Sequence, residues 1–278
     1  MSYATVLVHA QADADGEARV RLATDLAKRF EAMLIGVSAR AILAPGAPRH
    51  AGMLVVELMG RQEREIAEEQ AAAERSFRSI AQNSGEKVGW ISELDSPGRV
   101  LARESRAADI VVVGRNPHSV VSDTNRSADP GDLLMRVGCP VLVVPPGLDR
   151  LEASSVLIAW KDTREAHRAV SDSLPFLKRA SSVSVLAICG SEEKRMAAMK
   201  PLAAVVASLG RHGIRASSET RLLREASVPD ELLLAAEHCR ADLVVAGGYG
   251  HTRLQEWMLG GVTRALVQRF PKCCLLSH

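Results

Sequence analysis

Three short segments of the chain recur in the same order at an offset of about half its length. Thr5-Val6-Leu7-Val8-His9-Ala10 matches Ser155-Val156-Leu157-Ile158-Ala159-Trp160. Arg106-Ala107-Ala108-Asp109-Ile110-Val111-Val112-Val113-Gly114 matches Cys239-Arg240-Ala241-Asp242-Leu243-Val244-Val245-Ala246-Gly247. Cys139-Pro140-Val141-Leu142-Val143-Val144 matches Phe270-Pro271-Lys272-Cys273-Cys274-Leu275. Such ordered recurrence confines the chain to two copies of one domain. The length of 278 residues agrees, at roughly 100–200 residues per domain. Pro145-Pro146-Gly147-Leu148-Asp149-Arg150 carries the punctuation of a boundary. The expected domains are therefore 1–146 and 151–278.

Within each copy, short apolar runs alternate with helical periodicity. In the first, a strand at 4–9 leads to a helix at about 16–30, where Ala18, Leu22, Leu26 and Phe30 share a face. A strand from Met33 to Val37, a long helix at about 52–83 and a strand from Val88 to Leu94 follow. Ser96-Pro97 opens a helix with proline in its first turn, and Ile110 to Val113 reads as a strand covered on both faces. The second copy repeats the plan: strand 155–160, helix 164–179, strand 183–189, helix 192–212, strand 214–221 and a strand from Leu243 to Ala246. Ser227-Val228-Pro229-Asp230 reads as a capping box. This alternation predicts an α/β fold of two tandem doubly wound, mostly parallel five-stranded sheets. Ligands of such sheets sit at the strand ends.

One such end carries glycines. Gly247-Gly248-Tyr249-Gly250 follows the fourth strand of the second copy; nine residues later Gly260-Gly261-Val262-Thr263-Arg264 opens the last helix. Free N–H groups and the helix dipole make a helix N-terminus an anion site, and glycine lets backbone approach a ligand. No Gly-Lys-Ser/Thr follows, so this is neither a P-loop nor a dinucleotide fingerprint. On the glycines alone two readings stand: phosphate binding, or a strand-end turn without a ligand.

The pattern Gly247-x2-Gly250-x9-Gly260-Gly261 resembles the nucleotide-binding motif of the universal stress protein family, Gly-x2-Gly-x9-Gly-(Ser/Thr). The closing Phe270-Pro271-Lys272-Cys273-Cys274-Leu275-Leu276 is similar to the family's last strand. The resemblance covers nearly the whole chain, as a tandem form with the motif in the second copy. It implies a Rossmann-like fold of the adenine nucleotide alpha-hydrolase type and a stress-response regulator binding ATP, with or without Mg2+, in its second half. The implied ligand residues are Gly247, Gly250, Gly260, Gly261, Val262 and Thr263, with Arg253 assisting and Ala159, Lys161 and Ile188 near the base. Two departures stand out. Gly261 replaces the family's Ser or Thr, with Thr263 as a substitute, and Lys161 stands where the family has an Asp near adenine. Asp162 is expected to cap the following helix in a box with Glu165. The resemblance also implies an intrachain pseudo-dimer, and a homodimer where a second copy joins, through Val141–Val144 and Cys273–Leu276. So apolar an edge should not stay exposed.

The first copy should differ. It has Gly114-Arg115-Asn116-Pro117 for the glycine turn, and Asp129-Pro130 and Asp132 where the second has Gly260-Gly261 and Thr263. Proline offers no N–H, and carboxylates at a helix start repel an anion. No nucleotide is expected there in the family manner.

Composition narrows the remaining classes. A net charge of +2 and 3% aromatics lack the basic stripe and stacking platforms of a nucleic-acid binder. No apolar run reaches the length of a membrane span, and the first strand begins without a basic leader. Five cysteines without a Cys-x2-Cys pair suit buried thiols in a reducing cytoplasm. No His-Glu-x2-His, Gly-x-Ser-x-Gly or zinc set occurs, so no catalytic or metal residue is assigned. Ser191-Glu192-Glu193-Lys194 reads as a helix start, and Glu256 is the only carboxylate in the nine-residue loop. The rival to a nucleotide binder is a scaffold that kept the fold and lost the pocket; slow ATP hydrolysis is a third reading.

Overall fold

The structure is a computed structural model and describes residues 2–43, 52–82, 87–115, 125–223, 227–249 and 261–278. Its chain divides into two compact units: Tyr3–Val137 with Pro146–Arg150, and Gly138–Pro145 with Leu151–His278.

The first unit runs β1 (Thr5–His9), α1 (Ala14–Phe30), β2 (Met33–Ala39), α2 (Gly52–Ala81), β3 (Val88–Glu93), α3 (Pro97–Glu104), β4 (Ile110–Gly114) and α4 (Pro130–Leu134). Its strands are parallel, in the order β3-β2-β1-β4. Val6, Leu7 and Val8 of β1 and Ile110 to Val113 of β4 are fully buried, as strands covered on both faces require. The aromatic pair Phe77 and Trp90 closes over Gly36, where a Cβ would lie 2.8 Å from both rings.

The second unit contains β5 (Val141–Val144), β6 (Ser155–Ala159), α5 (Arg164–Leu177), β7 (Ser182–Cys189), α6 (Glu192–Arg211), β8 (Ala216–Leu222), α7 (Val228–His238), β9 (Leu243–Gly247), α8 (Gly261–Gln268) and β10 (Cys273–Ser277). Its order is β5-β10-β9-β6-β7-β8. All pairings are parallel except that of β5 with β10, which is antiparallel with Leu142 opposite Leu275. The last strand of the first repeat thus packs in the second unit. Both edges of β10 are occupied, by β9 and by β5 of the same chain, so β10 offers no edge to a second copy. At the far edge, β8 carries Glu219 and Arg221, joined by an ion pair; charged side chains blunt an exposed edge.

The repeat extends to single hydrogen bonds. Asp109 accepts from the N–H groups of Ala4 and Thr5, at 2.7 and 2.9 Å. Asp242 accepts in the same way from Ser154 and Ser155, at 2.9 and 3.1 Å. Each carboxylate binds the start of its repeat's first strand to the start of its fourth. The backbone N–H following that first strand is also satisfied alike: Ala10 donates to Val37 and Trp160 to Leu186.

No disulfide joins the five cysteines; Cys189, Cys273 and Cys274 are buried. No helix among the described residues is long and apolar enough to cross a membrane.

Candidate functional site at the strand ends of the second unit

The chain leaves β6 towards β7 and β8 on one side, then returns to β9 and β10 on the other. The order reverses between β6 and β9, which opens a crevice at their carboxyl ends. Register places Ala159, the last residue of β6, opposite both Leu186 and Ala246. Ala159 therefore stands beside Ala246, the residue before Gly247, at the crevice. Ile188 lies two residues beyond Leu186 on β7, half-buried and paired with Arg221.

The chain turns from β6 into α5 over this edge. Trp160 is buried, with its ring edge-on to His167 at 4.6 Å between centroids. Lys161 and Asp162 are exposed. Asp162 does not cap α5. Thr163 is the N-cap, extended at φ −139 and ψ 155, and its hydroxyl accepts from the Ala166 N–H. Glu165 is then two residues past the cap, one short of the spacing a capping box needs. Glu165 is instead buried at 1% exposure, and Asp162 pairs with His167 Nε2 at 3.0 Å.

The glycines divide into different roles. A Cβ on Gly247 would lie 2.5 Å from the Ala166 nitrogen and 2.7 Å from the Glu165 carbonyl carbon. Gly247 is needed for the close approach of α5 to β9, whatever else it does. Gly248 is committed to the last strand: its N–H donates to Ser277 at 2.8 Å and its carbonyl lies 3.1 Å from His278 Nδ1. Tyr249 follows in the left-handed region at φ 48, a conformation that bends the chain sharply out of β9. Gly250, Arg253 and Gly260 lie outside the described residues.

Gly261 begins α8, and a Cβ there would meet nothing within 4 Å among the described residues. Local packing does not demand glycine here. The first turn of α8 holds no acidic residue. Val262 follows in that turn, half-buried, and Thr263 is buried at 6% exposure. Arg264 donates to Gln268 along the exposed face of the helix, at 3.0 Å.

The start of α4 in the first unit is the opposite case. Asp129 caps it by accepting from the Asp132 N–H at 2.8 Å, Pro130 occupies the first turn, and Asp132 pairs with Arg136 at 2.8 Å. Two carboxylates and a proline fill the place that Gly260 to Thr263 hold in the second copy. Gly114, the counterpart of Gly247, faces Arg19, whose Nη1 would lie 2.2 Å from an added Cβ. Arg19 is buried, with its Nε donating to the His9 carbonyl at 2.7 Å, and burial draws its pKa down to about 10 despite Asp13 and Asp15 nearby.

Sequence reasoning did not single out Trp160, His167, or the polar cavity at the strand ends of the first unit that contains Arg40, Glu69 and Arg126. The signal for that cavity was weak, because its side chains come from segments far apart in sequence. No group of three or more His, Cys, Asp or Glu suited to a metal ion occurs among the described residues.

Strand order and crevice define a doubly wound α/β domain. A model of the universal stress protein family matches residues 154–278, the second copy of the repeat. Among solved structures, a universal stress protein from Archaeoglobus fulgidus DSM 4304 aligns over 98% of this chain and 95% of its own, at a TM-score of 0.72 and 13% identity. A protein described as a putative universal stress protein from Pseudomonas aeruginosa UCBPP-PA14 covers 99% and 93%, at a TM-score of 0.56 and 14% identity. These full-length likenesses establish the fold across both units. A universal stress protein from Archaeoglobus fulgidus in complex with dAMP covers 44% of this chain and 96% of its own, at a TM-score of 0.34 and 17% identity. No curated protein sequence matches the chain.

Proposed function

We propose that the second half binds an adenine nucleotide, with ATP the leading ligand, and that the first half does not bind one in the family manner. The observation that carries this reading is the contrast between two helix starts at the same place in the repeat. Gly261 opens α8 without an acidic first turn, and a Cβ there would meet nothing within 4 Å among the described residues. Asp129 and Asp132 fill the same position at α4. The N–H groups of a helix start without acidic residues attract a phosphate, and carboxylates at such a start repel it.

In this reading Gly261, Val262 and Thr263 present backbone N–H groups to phosphate. Gly250, Gly260 and Arg253 complete the loop, and Ala159 and Ile188 floor the base pocket. Lys161, exposed beside the strand end, supplies a cation. Gly247 acts by letting α5 close on β9. A bound nucleotide would supply charge and shape for a regulatory output; no residue is assigned to its hydrolysis.

The rival is a scaffold without a ligand, favoured by Gly261 in place of a hydroxyl and by Lys161 in place of an aspartate. Competition against a fluorescent ATP analogue separates the two. Displacement by ATP and ADP, but much less by GTP or CTP, supports adenine recognition. Absence of saturable analogue binding to nucleotide-free protein favours the scaffold.

A further inference from the structure

Neither edge of β10 is open, so a second copy of the chain needs another surface to dock on. Helix α6 of the second unit carries one. Between Met196 and Gly210 its sequence holds a single charge, Lys200. A helix apolar on every side is normally covered on every side. Yet only Leu202, Val205 and Leu209 of α6 are buried. Their spacing of three and four residues makes the stripe that packs on β7 and β8. The opposite face is open, with Met196 60% and Met199 52% exposed. Ala203, Ala207 and Gly210 are exposed on the same side.

The first copy has no such face. Its helix at the same place in the repeat is α2, which presents Arg61, Glu63, Arg64, Glu65 and Glu68 to solvent. The bare apolar face therefore belongs to α6 and not to the fold.

Two gradients along α6 decide what fits it. The first is bulk: Met196 and Met199 stand in the N-terminal half, and Ala203, Ala207 and Gly210 in the C-terminal half. The second is charge: Glu193 lies in the first turn and Arg211 in the last. They are separated by about five helical turns and so share a face. Glu192 is paired with Arg195, whereas neither Glu193 nor Arg211 has an ion-pair partner among the described residues. An antiparallel copy of α6 inverts both gradients. Bulky side chains then meet small ones, which lets two helices approach closely, and each carboxylate meets a guanidinium. A parallel copy would set methionine on methionine and like charge on like charge.

We propose that α6 is a self-association surface, on which two copies of this chain dock antiparallel about a two-fold axis near Leu202. Such an interface is isologous, so each contact occurs twice. Met196 and Met199 of one copy cover Ala203, Ala207 and Gly210 of the other. Glu193 of each copy pairs with Arg211 of the other and closes the ends. Lys200 borders a groove that Asp162 also lines; its stem covers apolar surface while its ammonium stays in water. One helix pair is smaller than a standard interface, so association in the micromolar range is expected.

Sedimentation equilibrium of the full chain, from roughly 1 to 300 µM, tests this. A reversible monomer–dimer equilibrium is expected. Ala207→Glu, at an exposed position, should weaken it about tenfold or more by burying an unpaired carboxylate, in a variant that unfolds like wild type. Glu193→Arg and Arg211→Glu should each weaken it several-fold. The double variant Glu193→Arg with Arg211→Glu should regain the wild-type affinity, a recovery that loss of folding cannot imitate. A monomer at every concentration, a dimer indifferent to Ala207→Glu, or a double variant no tighter than its single parents would overturn the proposal.

Discussion

Gly247 and Gly261 belong to one sequence motif, yet their surroundings call for opposite outcomes on substitution. Gly247→Ala forces a Cβ against the α5 backbone and should destabilise the protein by about 1–3 kcal/mol. Gly261→Ala has room for its methyl among the described residues and should change stability by less than about 0.5 kcal/mol. Denaturant unfolding of both variants checks this, and equal costs would contradict it. Spacing alone could not distinguish a glycine packed against a helix from one with open space around it among the described residues. That distinction depends on where α5 passes, which is a tertiary fact.

His9 provides a second prediction at this scale. It is buried at the end of β1, and its pKa is lowered to about 3, first by burial and then by the Arg19 charge. The folded state holds the imidazole neutral while the unfolded chain takes up a proton below about pH 6.5. Its contribution to stability is full above that pH and is lost as pH falls towards about 3. Between about pH 6.5 and 5, before most carboxylates titrate, stability should fall with a slope approaching roughly 1.4 kcal/mol per pH unit. His9→Asn should flatten that slope in denaturation measured across the window; an unchanged slope would assign it to other groups.

Among the elements, α5 and α7 differ in how fully their starts could be read. Ser227 and Asp230 form the capping box expected from their spacing, with each side chain accepting from the other residue's backbone N–H. For α5 the sequence reading expected Asp162 as the cap, and the structure corrects this to Thr163. The extended backbone at Thr163 makes its hydroxyl the acceptor, while Asp162 turns to His167. Thr163→Ala should therefore cost about 1 kcal/mol, and Asp162→Ala much less. Thermal or denaturant unfolding of the pair decides between them; the reverse order would restore Asp162 as the cap.

Strand and helix positions were otherwise legible to within a few residues, because buried β-branched runs and amphipathic stripes are local signals. The exchange of β5 was visible only as an expectation that two apolar last strands should meet. Its antiparallel register with β10 is set by packing that no local pattern encodes.

For the whole molecule, duplication preserved the frame while the strand ends diverged. Asp109 and Asp242 hold equivalent strands in both units, as do the bonds from Ala10 and Trp160. The helix starts at α4 and α8 share no such likeness. That difference is already readable in the aligned repeats, Asp129-Pro130 and Asp132 against Gly260-Gly261 and Thr263. Alignment could not show the arginine-lined cavity of the first unit, whose walls come from β1, β2, α2 and the chain before α4. A duplicated fold with dissimilar edges is suited to one ligand and one structural half.

In the proposed reading α8, and not α4, presents the nucleotide-binding helix start. Calorimetric titration of ATP into nucleotide-free wild type and Gly261→Asp tests it most directly, because the substitution adds a carboxylate where a side chain has room. About one ATP per chain in wild type, lost in a variant that unfolds like wild type, is the predicted result. Undiminished binding in Gly261→Asp, or two equivalent sites per chain, would contradict it.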